Sequence, residues 1–340
     1  MRRTYLKGAL ALFGALVLGL TSNAGFAQTQ TIKISHQFPG GTIDEGDFRD
    51  RLVRKFAAEV EKRSNGSLKF EIYPAASLMK AVPQYKALST GALDMSLYPL
   101  AYAGGEFPEA NLTLMPGVIT GYEQGLRWKD APIGKELTRL LDERNVKIIT
   151  WVWQAGGIAS KGKSVIAPDD SKGMKVRGGS REMDMMIKAA GGAVTNVASN
   201  EIYSAMQSGV LDAAITSSTS LISFRLHETS NFLTTGRKYA FWYMFEPLLM
   251  SKQVFDKLTP AQQKVVMEVG ASLEKFGMEA AMADDQKVVE VFTKAGLKVA
   301  DMDKAAFDKW RETAKGSAWV DFEEKVKNGK QLFEMALSVK

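Results

Sequence analysis

Two stretches of this chain repeat one another. "YKALSTGALDMSL" begins at Tyr85 and "YSAMQSGVLDAAI" begins at Tyr203, with Tyr, Ala, Gly, Leu and Asp in register. Each reads as a helix ended by glycine (Gly91, Gly209), the residue suited to a left-handed turn after a last helical turn. A short apolar strand then opens at Leu-Asp. One α/β unit used twice in 340 residues constrains the fold strongly, because each copy needs its own sheet to complete. The simplest arrangement is two similar lobes, one built around residues 31–145 and the other around 163–235.

The flanking segments agree. In "TIKISHQF", Ile32 and Ile34 alternate against Lys33, as in a strand. Phe48, Leu52, Val53, Phe56 and Val60 fall at helical spacing between Asp47 and Arg63, and Gly66 closes that helix. Leu68, Phe70 and Ile72 then alternate with Lys69 and Glu71. This β-α-β order builds parallel strands covered by helices. "VKIITWVWQ" and "YAFWYMFEPLLMS" are strand-like and placed to carry the chain between lobes. From Thr259 to about Ala295 a helix is expected, with Thr as N-cap and Pro at the first turn. At some 35 residues it would brace more than one lobe. The tail to Lys340 reads as further helix.

Arg2, Arg3 and Lys7 precede an apolar run from Ala9 to Leu20, followed by the small residues of "NAGFAQ". This is the pattern of a secretory leader cut after Ala27, with Ala24 as the lesser site; the apolar run is too short to span a bilayer. The leader holds three of the 44 Lys+Arg and no acid, so the remainder carries 41 against 38, close to balance. That charge does not argue for nucleic acid as partner. There is no cysteine, hence no disulfide, thiolate chemistry or lipid-anchor site. A periplasmic location follows.

"GIASKGKS", Gly157 to Ser164, fits the phosphate-loop pattern. A working loop needs a helix starting at its Gly-Lys-Ser. Here "VIAPDDSKG" follows: Val165 and Ile166 favour extended chain, and Pro168 disfavours helix before it. An exported chain also meets no nucleoside triphosphate, so the match is read as a turn. His36 and His227 have no second ligand at metal spacing, and no G-x-S-x-G elbow exists. No metal, cofactor or enzymatic activity is expected.

In "MKVRGGSREMDMMIKAAGG" a strand, a turn and a helix follow one another, which puts Arg177 at a strand's carboxyl end, facing a helix N-terminus near Ser180. Ligands of open α/β sheets bind outside such strand ends. A guanidinium offers two parallel donors to a carboxylate.

Over nearly all of its length after the leader, and most strongly in the segment that opens at "APDDSKG", the chain resembles the substrate-binding proteins of TRAP transporters, the DctP-type family. The matching residues are Pro168, Lys172, Gly173, Lys175, Val176 and Arg177, then Glu201, Tyr203, Ala205, Gln207, Gly209 and Asp212, with "LLMSKQVFDKLTPAQQKVV" further on. The resemblance implies an α/β, two-lobed periplasmic binding protein fold with mixed, mainly parallel sheets, a strand hinge and a long lobe-spanning helix. The expected division is 28–150 with 244–258 as lobe I, 151–243 as lobe II, and 259–340 as bracing helices. It implies that Arg177 clamps a carboxylate, that lobes close on it, and that membrane permease subunits are the partners.

Two departures bear on the ligand. Where many members carry Glu-Asn-Pro, this chain has "AAITSS", leaving Thr216, Ser217 or Ser218 as the polar contact, Ser217 foremost. Where many carry a second arginine after the aromatic strand, this chain has "WQAGGIAS". Losing it argues against a dicarboxylate, and Gly156 and Gly157 would leave room. The aromatics nearby, Trp151, Trp153, Phe241, Trp242, Tyr243 and Phe245, are divided between pocket and packing. With Gln154 they suggest an apolar site for a monocarboxylate, such as an aromatic or medium-sized 2-oxo or 2-hydroxy acid. From lobe I, Gln37 and Phe38 are the expected contacts, with Tyr98 beyond the first repeat and His36 structural. A secreted hydrolase or isomerase using the same crevice, and a sensory receptor passing its ligand to a kinase, remain the alternatives.

Overall fold

The structure is a computed structural model that describes residues 29–340; the leader and its cut after Ala27 lie outside the described residues. In chain order the strands are β1 (Gln30–Ser35), β2 (Leu68–Tyr73), β3 (Met95–Leu97), β4 (Val146–Thr150), β5 (Trp153–Gln154), β6 (Gly156–Ser160), β7 (Lys175–Arg177), β8 (Ala193–Val194), β9 (Ala213–Ser217), β10 (Phe232–Thr235), β11 (Met244–Phe245), β12 (Leu248–Ser251) and β13 (Lys298–Asp301). They form two large sheets, β2-β1-β3-β12-β4 and β13-β10-β6-β9-β7-β8, and a two-stranded one, β11-β5. Five of the nine neighbouring pairs in the large sheets are parallel.

The two repeat copies occupy matching places. Gly91 and Gly209 both end their helices at φ +75°, where a side chain would strain the backbone. β3 then pairs parallel with β1, and β9 pairs parallel with β7. The shared aspartates have one job. Asp94 accepts the Lys33 backbone N–H of β1 at 2.8 Å, and Asp212 accepts the Lys175 backbone N–H of β7 at 2.8 Å. Through this pairing Ser35 at the end of β1 corresponds to Arg177 at the end of β7. The loops after these two strands, with Gln37 in one and Gly178 in the other, are therefore structural equivalents in the two sheets.

The chain crosses from the first sheet to the second after β4 and returns after β10. At both crossings it passes through a short antiparallel ribbon, β5 with β11, where Gln154 faces Met244 and Trp153 faces Phe245. The stretches expected as single strands are thus split by the crossing itself. The bracing helix is also split, into Pro260–Ser272 and Glu274–Lys294, at Leu273. Thr259 and Gln262 form a capping box at its start. The first half packs on β4 of the first sheet; the second reaches the helix Ser218–Ser223 that follows β9. The tail holds one strand that its helical pattern hid. β13 adds to the edge of the second sheet beside β10, so this lobe is completed by residues far along the chain.

No helix begins at the phosphate-loop match. β6 ends at Ser160, and the next helical turn starts only at Pro168. Gly156 and Gly157 do not open space for a ligand. They let β6 lie tight between β9 and β10: a Cβ on Gly156 would collide with the Thr216 carbonyl, and one on Gly157 with the Thr234 carbonyl. Gly157→Ala is accordingly expected to lower stability by about 2–3 kcal/mol, since backbone on a neighbouring strand must move. Denaturant unfolding with an unchanged m-value would check it.

Candidate ligand-binding site

Arg177 ends β7 and is 4% exposed. Its side chain is fixed at every nitrogen. Nε donates to the Val197 carbonyl at 3.1 Å, Nη1 to the Ile215 carbonyl at 2.9 Å and Nη2 to the Tyr102 hydroxyl at 2.8 Å. All three acceptors are neutral. Among the described residues no carboxylate reaches ion-pair distance of it. Asp184 feels its charge at longer range, but burial outweighs that pull and pushes this carboxyl up to about 6. A guanidinium has five N–H donors. Three are committed, and one remains on each terminal nitrogen.

Arg177 borders a small cavity of about 10 Å³, room for a single water, lined by Tyr102, Leu114, Thr216, Ser217, Trp242 and Met244 together with Gly178, Gly179, Ser199 and Ile215. The lining mixes polar and apolar side chains. Gly179 has φ +97°, and a Cβ there would press on the Arg177 guanidinium. The Gly178–Gly179 turn is thus the condition for the arginine to lie flat beneath it. Ser180 caps the helix Arg181–Ala189 that follows, its hydroxyl accepting the Met183 N–H at 3.1 Å.

A second buried arginine lies on the far side of Ser217. Arg49, in the first turn of the helix Phe48–Arg63, is 0% exposed. It pairs with Asp47 at 2.7 Å and Glu246 at 3.5 Å and lies 3.6 Å from the centre of the Phe38 ring. It donates to Ser220 at 3.0 Å and Ser217 at 3.4 Å. Helix 48–63 packs on the first sheet while Ser217 and Ser220 belong to the second, so this network ties the lobes together. Unlike Arg177, Arg49 has its charge matched by acids. Burial pushes the Glu246 carboxyl up to about 7, against the opposing pull of Arg49.

Of the residues singled out in the sequence, Arg177, Thr216 and Ser217 meet at the cavity; Ser218 instead bonds Asp285 of helix 274–294. The others are buried elsewhere. Trp153 packs edge-on against Trp128 and tilted against Phe245, and Gly125, where a Cβ would strike its ring, leaves room for it. Tyr243 meets Tyr122 edge-on at 5.1 Å. Neither borders the cavity, and Trp242, between Phe241 and Tyr243, is the aromatic of its stretch that does. Tyr98 is a core residue whose hydroxyl donates to the Val82 carbonyl at 2.9 Å. One turn further on, Tyr102 is the tyrosine that reaches Arg177. Phe38 lies under Arg49, Gln154 bonds Glu246, and Gln37 is 2% exposed with neither side-chain polar atom partnered. His36 is structural, 3.1 Å from Asp50. No cluster of metal-ligating side chains occurs among the described residues.

Comparison with known proteins gives the family. The profile of DctP, bacterial extracellular solute-binding protein family 7, matches residues 42–325. A solute-binding protein of Albidiferax ferrireducens is 59% identical over 311 residues, 92% of each chain. A TRAP periplasmic solute-binding protein of Rhodoferax ferrireducens, solved with bound malonate, superimposes with a TM-score of 0.90 at 58% identity, over 91% of this chain and 98% of the other. The C4-dicarboxylate-binding periplasmic protein of Rhodobacter capsulatus is 26% identical over 84% of each chain.

Proposed function

This chain belongs to bacterial extracellular solute-binding protein family 7, as a TRAP-type solute-binding protein and not an enzyme, and from that premise we propose that it captures a small organic acid by its carboxylate on Arg177. The observation that carries this is a buried guanidinium held by three neutral acceptors, with two N–H groups uncommitted, on a residue that borders a small cavity. A buried cation without a counter-ion is costly, and an arriving carboxylate offsets that cost. Thr216 and Ser217 supply hydroxyls beside it. Lobe closure excludes water and strengthens the pair.

The body of the ligand meets Trp242, Met244 and Leu114. One unmatched arginine, with the second already paired, suits a monocarboxylate with an apolar or aromatic body, a 2-oxo or 2-hydroxy acid. A short dicarboxylate is the second reading, favoured by the malonate in the Rhodoferax ferrireducens protein. The loaded protein would act outside the cytoplasmic membrane and pass its ligand to permease subunits; no described helix is long and apolar enough to cross a membrane.

A thermal-shift titration with phenylpyruvate, malonate and their amides tests this. A ligand at a hundred times its Kd adds about 2.7 kcal/mol to the folded state. The preferred acid should raise the Tm by several degrees and the amides should not. Equal shifts with acid and amide would sink the carboxylate clamp.

A further inference from the structure

We infer that Tyr102 is the closing latch of the clamp, reaching from the first lobe to hold Arg177 and to donate its own hydroxyl hydrogen to the bound acid group; this rests on the carboxylate reading of Arg177. Tyr102 sits in the short helix Leu100–Gly105, directly after β3 of the first sheet. Its phenolic oxygen accepts two bonds, both from the second lobe. One comes from Arg177 Nη2 at 2.8 Å and the other from the Ser199 backbone N–H at 3.0 Å. A hydroxyl has two acceptor positions and one hydrogen. Both positions are filled, and the hydrogen has no acceptor among the described residues.

Its surroundings say where that hydrogen is useful. Tyr102 borders the small cavity at Arg177 and also a groove lined by Arg181, Lys188, Gly105 and Lys325. The ring is therefore the wall between solvent and the buried guanidinium. Tyr98 fixes it edge-on at 6.0 Å. With the lobes apart, Arg177 loses its Nη2 acceptor and the Ser199 amide loses its partner. With the lobes together, the phenol orients the arginine fork, seals the cavity and adds a third donor. A carboxylate, with two charged oxygens, meets all three donors; a cationic group at the same place meets none, and a neutral amide offers one carbonyl oxygen and leaves the buried charge unbalanced.

Tyr102→Phe keeps the ring and its contact with Tyr98, so folding is preserved. The variant is expected to bind malonate or phenylpyruvate, whichever the unaltered chain prefers, on the order of tenfold more weakly, through faster release. A second readout needs no ligand. Hydrogen exchange at the Ser199 amide of the ligand-free protein should speed up on Tyr102→Phe, while exchange in β1 and β7 stays unchanged. Unaltered affinity in Tyr102→Phe, or unaltered Ser199 exchange, would overturn the latch. Failure of the unaltered chain to bind either acid would instead remove the carboxylate reading of Arg177, and with it the donor role of Tyr102, leaving Ser199 exchange to decide the contact between lobes.

Discussion

Arg177→Ala is expected to abolish acid binding, weakening it by two to three powers of ten or more, while the ligand-free protein still folds. The first half follows from burial. Removing one partner of a buried charge pair costs about 3–5 kcal/mol, because the other is left uncompensated in a medium that cannot solvate it. Here the stranded partner would be the ligand's carboxylate, which escapes by staying in water. The second half follows from what Arg177 lacks. It contributes no ion pair to the ligand-free protein, so its removal loses three hydrogen bonds but also relieves a buried unmatched charge. These effects oppose each other, and the Tm of the ligand-free variant should move by only a few degrees. Arg177→Lys separates charge from shape: it keeps the cation but loses the fork. It is expected to bind with intermediate affinity. Calorimetric titration checks all three proteins, and retained affinity in Arg177→Ala would place the acid group elsewhere.

The sequence announced Arg177, Thr216 and Ser217 but not Tyr102 or Arg49, for physical reasons. Arg177 stands beside two glycines at the end of a strand, and the turn those glycines allow is visible in the letters alone. The repeat likewise fixed two equivalent sheets, since Gly91 and Gly209 can be placed from their conformational freedom and Asp94 and Asp212 act locally. Arg49 carried no such mark. An arginine in the first turn of a helix is usually solvated, and only the arrival of Glu246 and Ser220 from distant segments makes this one buried. Tyr98 and Tyr102 were indistinguishable by type. Which of them faces the second lobe depends on the short helix 100–105, whose pitch no periodicity of that length can reveal. The aromatic stretch failed for a related reason. The chain crosses between lobes there, alternation is broken at each crossing, and the side that each ring takes is set by the ribbon of β5 and β11. β13 was hidden because an edge strand of four residues between helices has too few positions to show a period of two.

The buried network at Arg49 should make stability depend on pH in an unusual direction. Glu246 is pushed up to about 7 by burial; Glu182 reaches about 7 and Asp184 and Asp285 about 6 for the same first reason. A carboxyl raised in the folded state keeps its proton there while the unfolded chain has already lost it. Its contribution is complete below the ordinary carboxylate range and is lost as pH rises through the folded value. For Glu246 alone the loss between about pH 4.5 and 7 is up to roughly 3 kcal/mol. Asp50, Asp301 and Asp321 are held low by their partners, and act oppositely, losing their contribution only as pH falls below the ordinary range. The ligand-free protein should therefore be more stable near pH 5 than at pH 7.5. Glu246→Gln, which mimics the protonated group, should flatten that slope; an unchanged slope would exclude Glu246 as its source. Arg49→Met carries the larger effect. It leaves Asp47 and Glu246 buried without their cation, a loss of about 3–5 kcal/mol at pH 7.5. At pH 5 Glu246 holds its proton and one of the two stranded charges disappears, so the same substitution should cost distinctly less. Denaturant unfolding of Arg49→Met at both pH values measures that difference. A cost independent of pH would mean that Asp47 alone balances Arg49 and that Glu246 plays no part in joining the lobes.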